Sequence, residues 1–127
     1  MRAADTNVIV RLFVGDDEKQ TAAAEQFVRG GVWLGIPALL EMAWVLSTLY
    51  DFRSSRIADT IDLLLKNPNV LVQHSEAVQA AVELYRNRPN LGFTDCLILE
   101  VAREAGHLPL GTFDRRLASV TGAQRIR

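Results

Sequence analysis

Cysteine, lysine and histidine are all scarce in this chain. Cys96 is the only cysteine, so no intrachain disulfide can form, which fits a reducing compartment. Lys19 and Lys66 are the only lysines, and His74 and His107 the only histidines. No charge of one sign dominates: 14 Lys+Arg stand against 15 Asp+Glu, for a formal net charge of −1. There is no polybasic arm, so bulk charge alone does not carry the chain to nucleic acid, although local basic patches remain open. Long hydrophobic runs are missing as well. The most apolar stretch, Val32 to Leu49, is interrupted by Gly35, Pro37 and Glu41. It reads as a strand followed by a helix and not as a membrane span. Asp5 falls where a signal peptide needs apolar residues. The expectation is a cytoplasmic protein that does not engage a membrane.

What is present suits an ordinary globular protein. Apolar residues make up 49% of 127 residues and charged residues 23%. That length is near the commonest domain size and can bury a core without a metal or disulfide staple. With no repeat, low-complexity segment or long linker, residues 1–127 read as a single domain.

Helix and strand signals alternate along the chain. Ala3-Ala4-Asp5 is a short candidate strand, and Asn7 to Phe13 a short apolar helix. Gly15-Asp16-Asp17 can cap a helix carrying Ala23, Ala24, Phe27 and Val28 at helical spacing, which Gly30-Gly31 stops. Val32 to Ile36 is a strand, and Pro37 suits the first position of a helix reaching Tyr50. Ser54 or Ser55 can cap the next helix, Val70 to Val72 is a strand, and Ser75 can cap another helix. After the polar loop Arg86 to Gly92, Thr94 can cap a helix over Asp95 to Ala105, closed by Gly106. Leu108 to Thr112 reads as a strand, Asp114 to Val120 as a short helix, and Gln124 to Arg127 as an edge strand. This alternation predicts an α/β fold with a mostly parallel sheet covered on both faces.

In such sheets ligands gather beyond the carboxyl ends of the strands. Four acids lie there: Asp5 after the first strand, Glu41 in the helix after the second, Asp95 opening a late helix, and Asp114 after the strand Leu108 to Thr112. Each has a structural alternative. Asp5 and Asp114 could be helix caps, and Asp95 a first-turn carboxylate favoured by the helix dipole. Glu41 sits among Leu39, Leu40, Met42, Ala43, Trp44, Val45 and Leu46. It should be buried or at a cleft mouth, with an arginine partner as the structural alternative. As a set, the acids suggest a cation site. Two carboxylates about 4 Å apart repel by about 4 kcal/mol at an effective dielectric of about 20. Oxygen-only ligands suit Mg²⁺ or Mn²⁺, ions that prepare water for attack on phosphorus.

Rival phosphate chemistries lack their residues. Gly-x-x-x-x-Gly-Lys is absent, and neither lysine follows a strand, which disfavours receiver domains and aspartyl-phosphate phosphatases. A metal-free ribonuclease would need His74 and His107 as an acid–base pair. Both sit at element ends, where solvated or capping histidines are commoner. Cys96 shares its helix with core residues and has no activating neighbour.

Four segments in order carry a family resemblance: Asp5-Thr-Asn-Val-Ile-Val-Arg11, Pro37-Ala-Leu-Leu-Glu41-Met-Ala-Trp-Val-Leu46, Phe93-Thr-Asp95-Cys-Leu-Ile and Thr112-Phe-Asp114-Arg-Arg-Leu117. Together they span essentially the whole chain and resemble a PIN domain, specifically the toxin ribonuclease of a VapBC-type toxin–antitoxin pair. The resemblance implies a five-stranded parallel sheet with helices on both faces. It further implies Mg²⁺-dependent endonucleolytic cleavage of structured RNA such as tRNA or ribosomal RNA. Asp5, Glu41, Asp95 and Asp114 become catalytic, metal-site acids, with Asn7 and Thr112 as supporting hydrogen-bonders. A homodimer and a small VapB-type antitoxin covering the active-site groove are also implied. Many relatives carry another acid where Arg116 stands here. For substrate, Arg86 and Arg88 before Asp95, and Arg115 and Arg116 after Asp114, could grip RNA phosphates on either side of the cut. Alternatives are a non-catalytic RNA- or protein-binding module, or a housekeeping RNA-processing nuclease of the same fold.

Overall fold

The computed structural model describes residues 1–127 as two compact units, Met1–Ser75 and Glu76–Arg127. In the first unit, β1 (Arg2–Ala3), β2 (Val32–Leu34) and β3 (Val70–Val72) form a parallel sheet in the order β1-β2-β3. Trp33 is in register with Ala3 on one side and Leu71 on the other. Because side chains alternate across a sheet, Val32, Leu34, Val70 and Val72 share the opposite face, and all four are buried. Trp33 and Leu71 remain 37% and 55% exposed.

Four helices complete this unit: α1 (Thr6–Phe13), α2 (Glu18–Arg29), α3 (Ile36–Leu49) and α4 (Ser54–Lys66). Ile9 and Val10 of α1, Leu39, Met42 and Leu46 of α3, and Ile57, Ile61 and Leu64 of α4 are almost completely buried. Each such side chain removed from water stabilises the fold by roughly 1.5–3 kcal/mol before the entropic cost of ordering the chain. Arg2 ties β1 to α2, lying 3.9 Å over the Phe27 ring and donating to the Phe27 carbonyl at 3.1 Å.

Helix α5 (Ser75–Asn87) lies in the second unit except for its first residue, and that unit also holds a 3-10 turn (Pro89–Leu91), α6 (Phe93–Glu104), β4 (Leu110–Thr112), α7 (Arg115–Ala118) and β5 (Ala123–Arg125). Strands β4 and β5 pair in parallel, Thr112 opposite Arg125. Its buried residues include Ala81, Val82, Tyr85, Leu91, Phe93, Cys96, Leu97, Leu99 and Leu117. Tyr85 and Phe93 meet edge to face, with ring centroids 5.8 Å apart.

All strand pairings are parallel, as the alternating pattern predicts, but the five strands form a three-stranded and a two-stranded set. None exceeds three residues, so few ladder hydrogen bonds are available to each. Several predicted caps shift. Gly35 precedes α3, so Ile36 leaves the strand and joins the helix. Arg53 precedes α4, Ser75 lies within α5, and α6 starts at Phe93 behind Gly92 instead of behind a Thr94 cap. Gly92 stands at φ 80°, a left-handed conformation that costs glycine little, and this lets the helix start earlier. No helix is long and apolar enough to cross a membrane.

Candidate active site

Asp5 immediately follows β1 and Ala4, whose amide donates to the Trp33 carbonyl at 2.9 Å. Asp5 Oδ1 accepts from the Thr6 amide at 2.7 Å, capping α1. The capping reading of Asp5 is therefore met through one carboxylate oxygen, and the residue is exposed. Because β1 and β2 run parallel, Asp5 and the start of α3 lie at the same, carboxyl, end of this sheet.

Glu41 lies in the second turn of α3 and is exposed. This corrects the expectation of burial. Leu39, Met42, Ala43 and Leu46 take the inward face, while Pro37, Glu41, Trp44 and Thr48 fall on the exposed one. No arginine forms an ion pair with Glu41, so the buried salt-bridge alternative is not realised. Asn7, also exposed, helps line a cavity of about 370 Å³ with Arg11, Gln20 and Phe27. A cavity of about 610 Å³ in the same unit is lined by Leu12, Phe13, Val28, Leu63 and Lys66 among others, and neither acid borders it.

In the second unit, Asp114 caps α7. Its Oδ1 accepts from the amides of Arg116 at 2.8 Å and Leu117 at 3.1 Å. The Asp114 amide in turn donates to Thr112 Oγ1 at 3.1 Å, so Thr112 holds the carboxylate's own backbone. Both cap bonds fall on Oδ1, and the residue is exposed. Asp95, in the first turn of α6, is half-buried. Burial first, and the nearby Asp114 charge second, hold its carboxyl above the usual range. Partial burial raises a carboxylate because it disfavours the ionised form, and a like charge does the same. The Asp114 charge is thus near enough to act on Asp95.

No group of three or more His, Cys, Asp or Glu side chains that could hold a metal is gathered in the chain. The acids are laid out as Asp95 with Asp114 in one unit, and Asp5 and Glu41 at one sheet end of the other. Their chemistry still fits a hard divalent cation. The donors are all carboxylate oxygens, the two caps each engage Oδ1 alone, and Asp95 sits in a field that a cation would relieve.

The arginines divide. Arg88 Nη2 donates to Ser119 Oγ at 2.9 Å and to the Arg116 carbonyl at 3.5 Å. Arg116 Nη1 donates to the Asn90 carbonyl at 3.4 Å. Arg86 and Arg115 are exposed. Cys96 is buried, and burial with the Asp95 charge pushes its thiol up to about 11, so it is inert as a nucleophile at neutral pH.

Sequence reading missed two networks because each joins residues remote in the chain. Arg11 binds both Asp16 and the Tyr50 hydroxyl, which itself donates to Asp16 at 3.2 Å. The other joins Arg88, Arg116 and Ser119. The only sequence hint for that one was the arginine standing at 116.

Parallel strands alternating with helices, with acids beyond the strand ends, make this an α/β protein whose ligand site is expected at those ends. The chain belongs to the PIN domain family, which it matches over residues 3–123. This family consists generally of nucleases that use divalent metal ions, so the fold is of nuclease type. No curated protein sequence matches the chain.

Proposed function

We propose that this protein is a metal-dependent endoribonuclease acting as the toxin of a VapBC-type pair. The observation that carries this is the Asp95–Asp114 carboxylate pair, with Asp114 aimed by Thr112 and the α7 amides. A pair of that kind suits metal binding better than plain helix capping, since capping alone would not favour a second acid nearby. Membership of a nuclease family across both units supports treating residues 1–127 as one working domain.

Asp5, Glu41, Asp95 and Asp114 are assigned as the acids that hold Mg²⁺ or Mn²⁺. A bound ion of this type lowers the pKa of its water and neutralises charge on the phosphodiester. The protein supplies the orientation: the α1 cap fixes Asp5, the α7 cap fixes Asp114, and Thr112 fixes the chain between β4 and α7. Asn7 is assigned a supporting hydrogen bond. Arg86, Arg115 and Arg116 are assigned to RNA phosphates, with structured RNA such as tRNA or ribosomal RNA as substrate.

Exposed Trp44, Leu49 and Leu63 support a homodimer, to be read by light scattering at micromolar concentration, where a monomer would count against it. Leu40 and Tyr50 contribute less, being half-buried. A VapB-type antitoxin and a cytoplasmic location complete the proposal.

The test is brief expression in cells with sequencing of new RNA ends. Wild type should stop growth and cut a small set of RNAs, and the product of the neighbouring gene should suppress both. Asp5→Asn should do neither while keeping its circular dichroism spectrum. Full toxicity of Asp5→Asn would overturn the site assignment. Cleavage that no neighbouring product restrains would favour a housekeeping nuclease.

A further inference from the structure

We propose that Arg88 is a positioning residue that sets the separation of Asp95 and Asp114, rather than a contact to RNA. This rests on assigning those two acids to the metal. Helix α7 is a single turn of four residues and is too short to hold its own orientation by internal hydrogen bonds. Asp114 stands at its N-terminal end. The C-terminal end is pinned from outside, where Arg88 Nη2 reaches Ser119 Oγ at 2.9 Å and the Arg116 carbonyl at 3.5 Å. Ser119 Oγ also donates to that carbonyl at 2.6 Å, so one guanidinium gathers the helix's last acceptors. A second tie runs back, from Arg116 Nη1 to the Asn90 carbonyl at 3.4 Å.

The anchor end is as well defined. Arg88 opens the 3-10 turn Pro89–Leu91, and the Leu91 amide donates to the Arg88 carbonyl at 3.0 Å. Gly92 then leads directly into α6, whose first turn carries Asp95. Leu91 and Phe93 on either side of Gly92 are buried, so the end of the turn that leads into α6 is anchored in the core, while Pro89 and Asn90 are exposed. Asp95 is thus fixed to the turn through the chain, and Asp114 is fixed to the same turn through Arg88. Releasing the guanidinium removes one of the ties on α7, leaving buried Leu117 and the Arg116–Asn90 bond to hold it, and so loosens the spacing of the two carboxylates. A guanidinium committed to these partners has fewer donors left for a phosphate, whereas exposed Arg115 carries no such tie.

Three variants separate positioning from RNA contact: Arg88→Ala, Arg88→Lys and Ser119→Ala. The first readout uses no RNA: the rise in melting temperature on titrating Mn²⁺, which reports metal affinity. Arg88→Ala should need roughly 10-fold more Mn²⁺, the scale typical of losing a residue that orients ligands. Arg88→Lys should not rescue it, because a lysine lacks the planar fork. Ser119→Ala, an exposed and structurally mild change, should shift the Mn²⁺ midpoint in the same direction by a smaller factor. The second readout is binding of bulk tRNA in EDTA as a function of salt. Its log–log slope should be unchanged in Arg88→Ala, whereas loss of one phosphate contact lowers the slope by roughly 0.7–0.9. A reduced slope with wild-type Mn²⁺ affinity would overturn the proposal and return Arg88 to RNA. Unchanged Mn²⁺ affinity in both Arg88→Ala and Ser119→Ala would also overturn it. If wild type itself shows no Mn²⁺-dependent stabilisation, the metal assignment of the two acids fails, and the positioning role falls with it.

Discussion

Replacing Asp114 in two ways separates its structural from its chemical duty. Its Oδ1 caps α7 through two amide hydrogen bonds, at 2.8 and 3.1 Å. Asparagine caps a helix about as well as aspartate, whereas alanine cannot, and losing a cap costs about 1 kcal/mol. Removing the charge also relieves the repulsion felt by Asp95. Asp114 is exposed and Asp95 only half-buried, so that relief is screened to a few tenths of a kcal/mol. In EDTA the cap dominates for Asp114→Ala, which should lose roughly 0.5–1 kcal/mol net and melt roughly 2–4 °C lower. Asp114→Asn keeps the cap and loses only the repulsion, so it should melt at the wild-type temperature or slightly above. Mn²⁺ should stabilise neither variant, and neither should cut RNA. The assay is thermal unfolding with and without Mn²⁺, alongside RNA cleavage by the same preparations. Asp114→Asn melting as low as Asp114→Ala would refute the cap argument. Wild-type cleavage by Asp114→Asn would refute the metal role.

Glu41→Gln should abolish cleavage yet shift stability by less than about 0.5 kcal/mol, since Glu41 is exposed and has no ion-pair partner. A clear drop in melting temperature would return it to a structural role. Tyr85 predicts an alkaline effect. Burial, then the nearby Cys96 thiol, raise its phenol above the usual 10.0. Above that pH the unfolded chain has released a proton that the folded chain still holds, so Tyr85's contribution makes stability fall as pH rises through this window. Phenolate absorbance should therefore appear later in the native protein than in guanidinium, and Tyr85→Phe should lack the delayed component. Coincident native and unfolded titrations would contradict the burial.

Most of the element order was legible because each signal is local. Asp17 caps α2 through the Gln20 amide at 3.0 Å, Val70–Val72 is the strand its composition indicates, and Gly106 takes the left-handed conformation at φ 80° after α6. Caps were less legible where several hydroxyls compete. Thr94 has the chemistry to cap, but Gly92 reaches the left-handed conformation first. Glu41 misled because its neighbours in sequence are apolar on both sides, while a helix turns 100° per residue and separates Leu39 and Met42 from Glu41 and Trp44. Candidate acids could be found from their places after strands. The partners of Arg88 could not, because Ser119 lies far along the chain and serine carries no pairing signal of its own.

Metal-dependent hydrolysis of RNA is tested by cleavage of bulk tRNA by purified protein with analysis of the product ends. Cleavage should stop in EDTA, return with Mg²⁺ or Mn²⁺, and leave a 5′-phosphate, the end that attack by water on phosphorus gives when the 3′-oxygen departs. Cleavage that persists in EDTA and leaves a cyclic phosphate would contradict the account and point instead to a metal-free mechanism using His74 or His107.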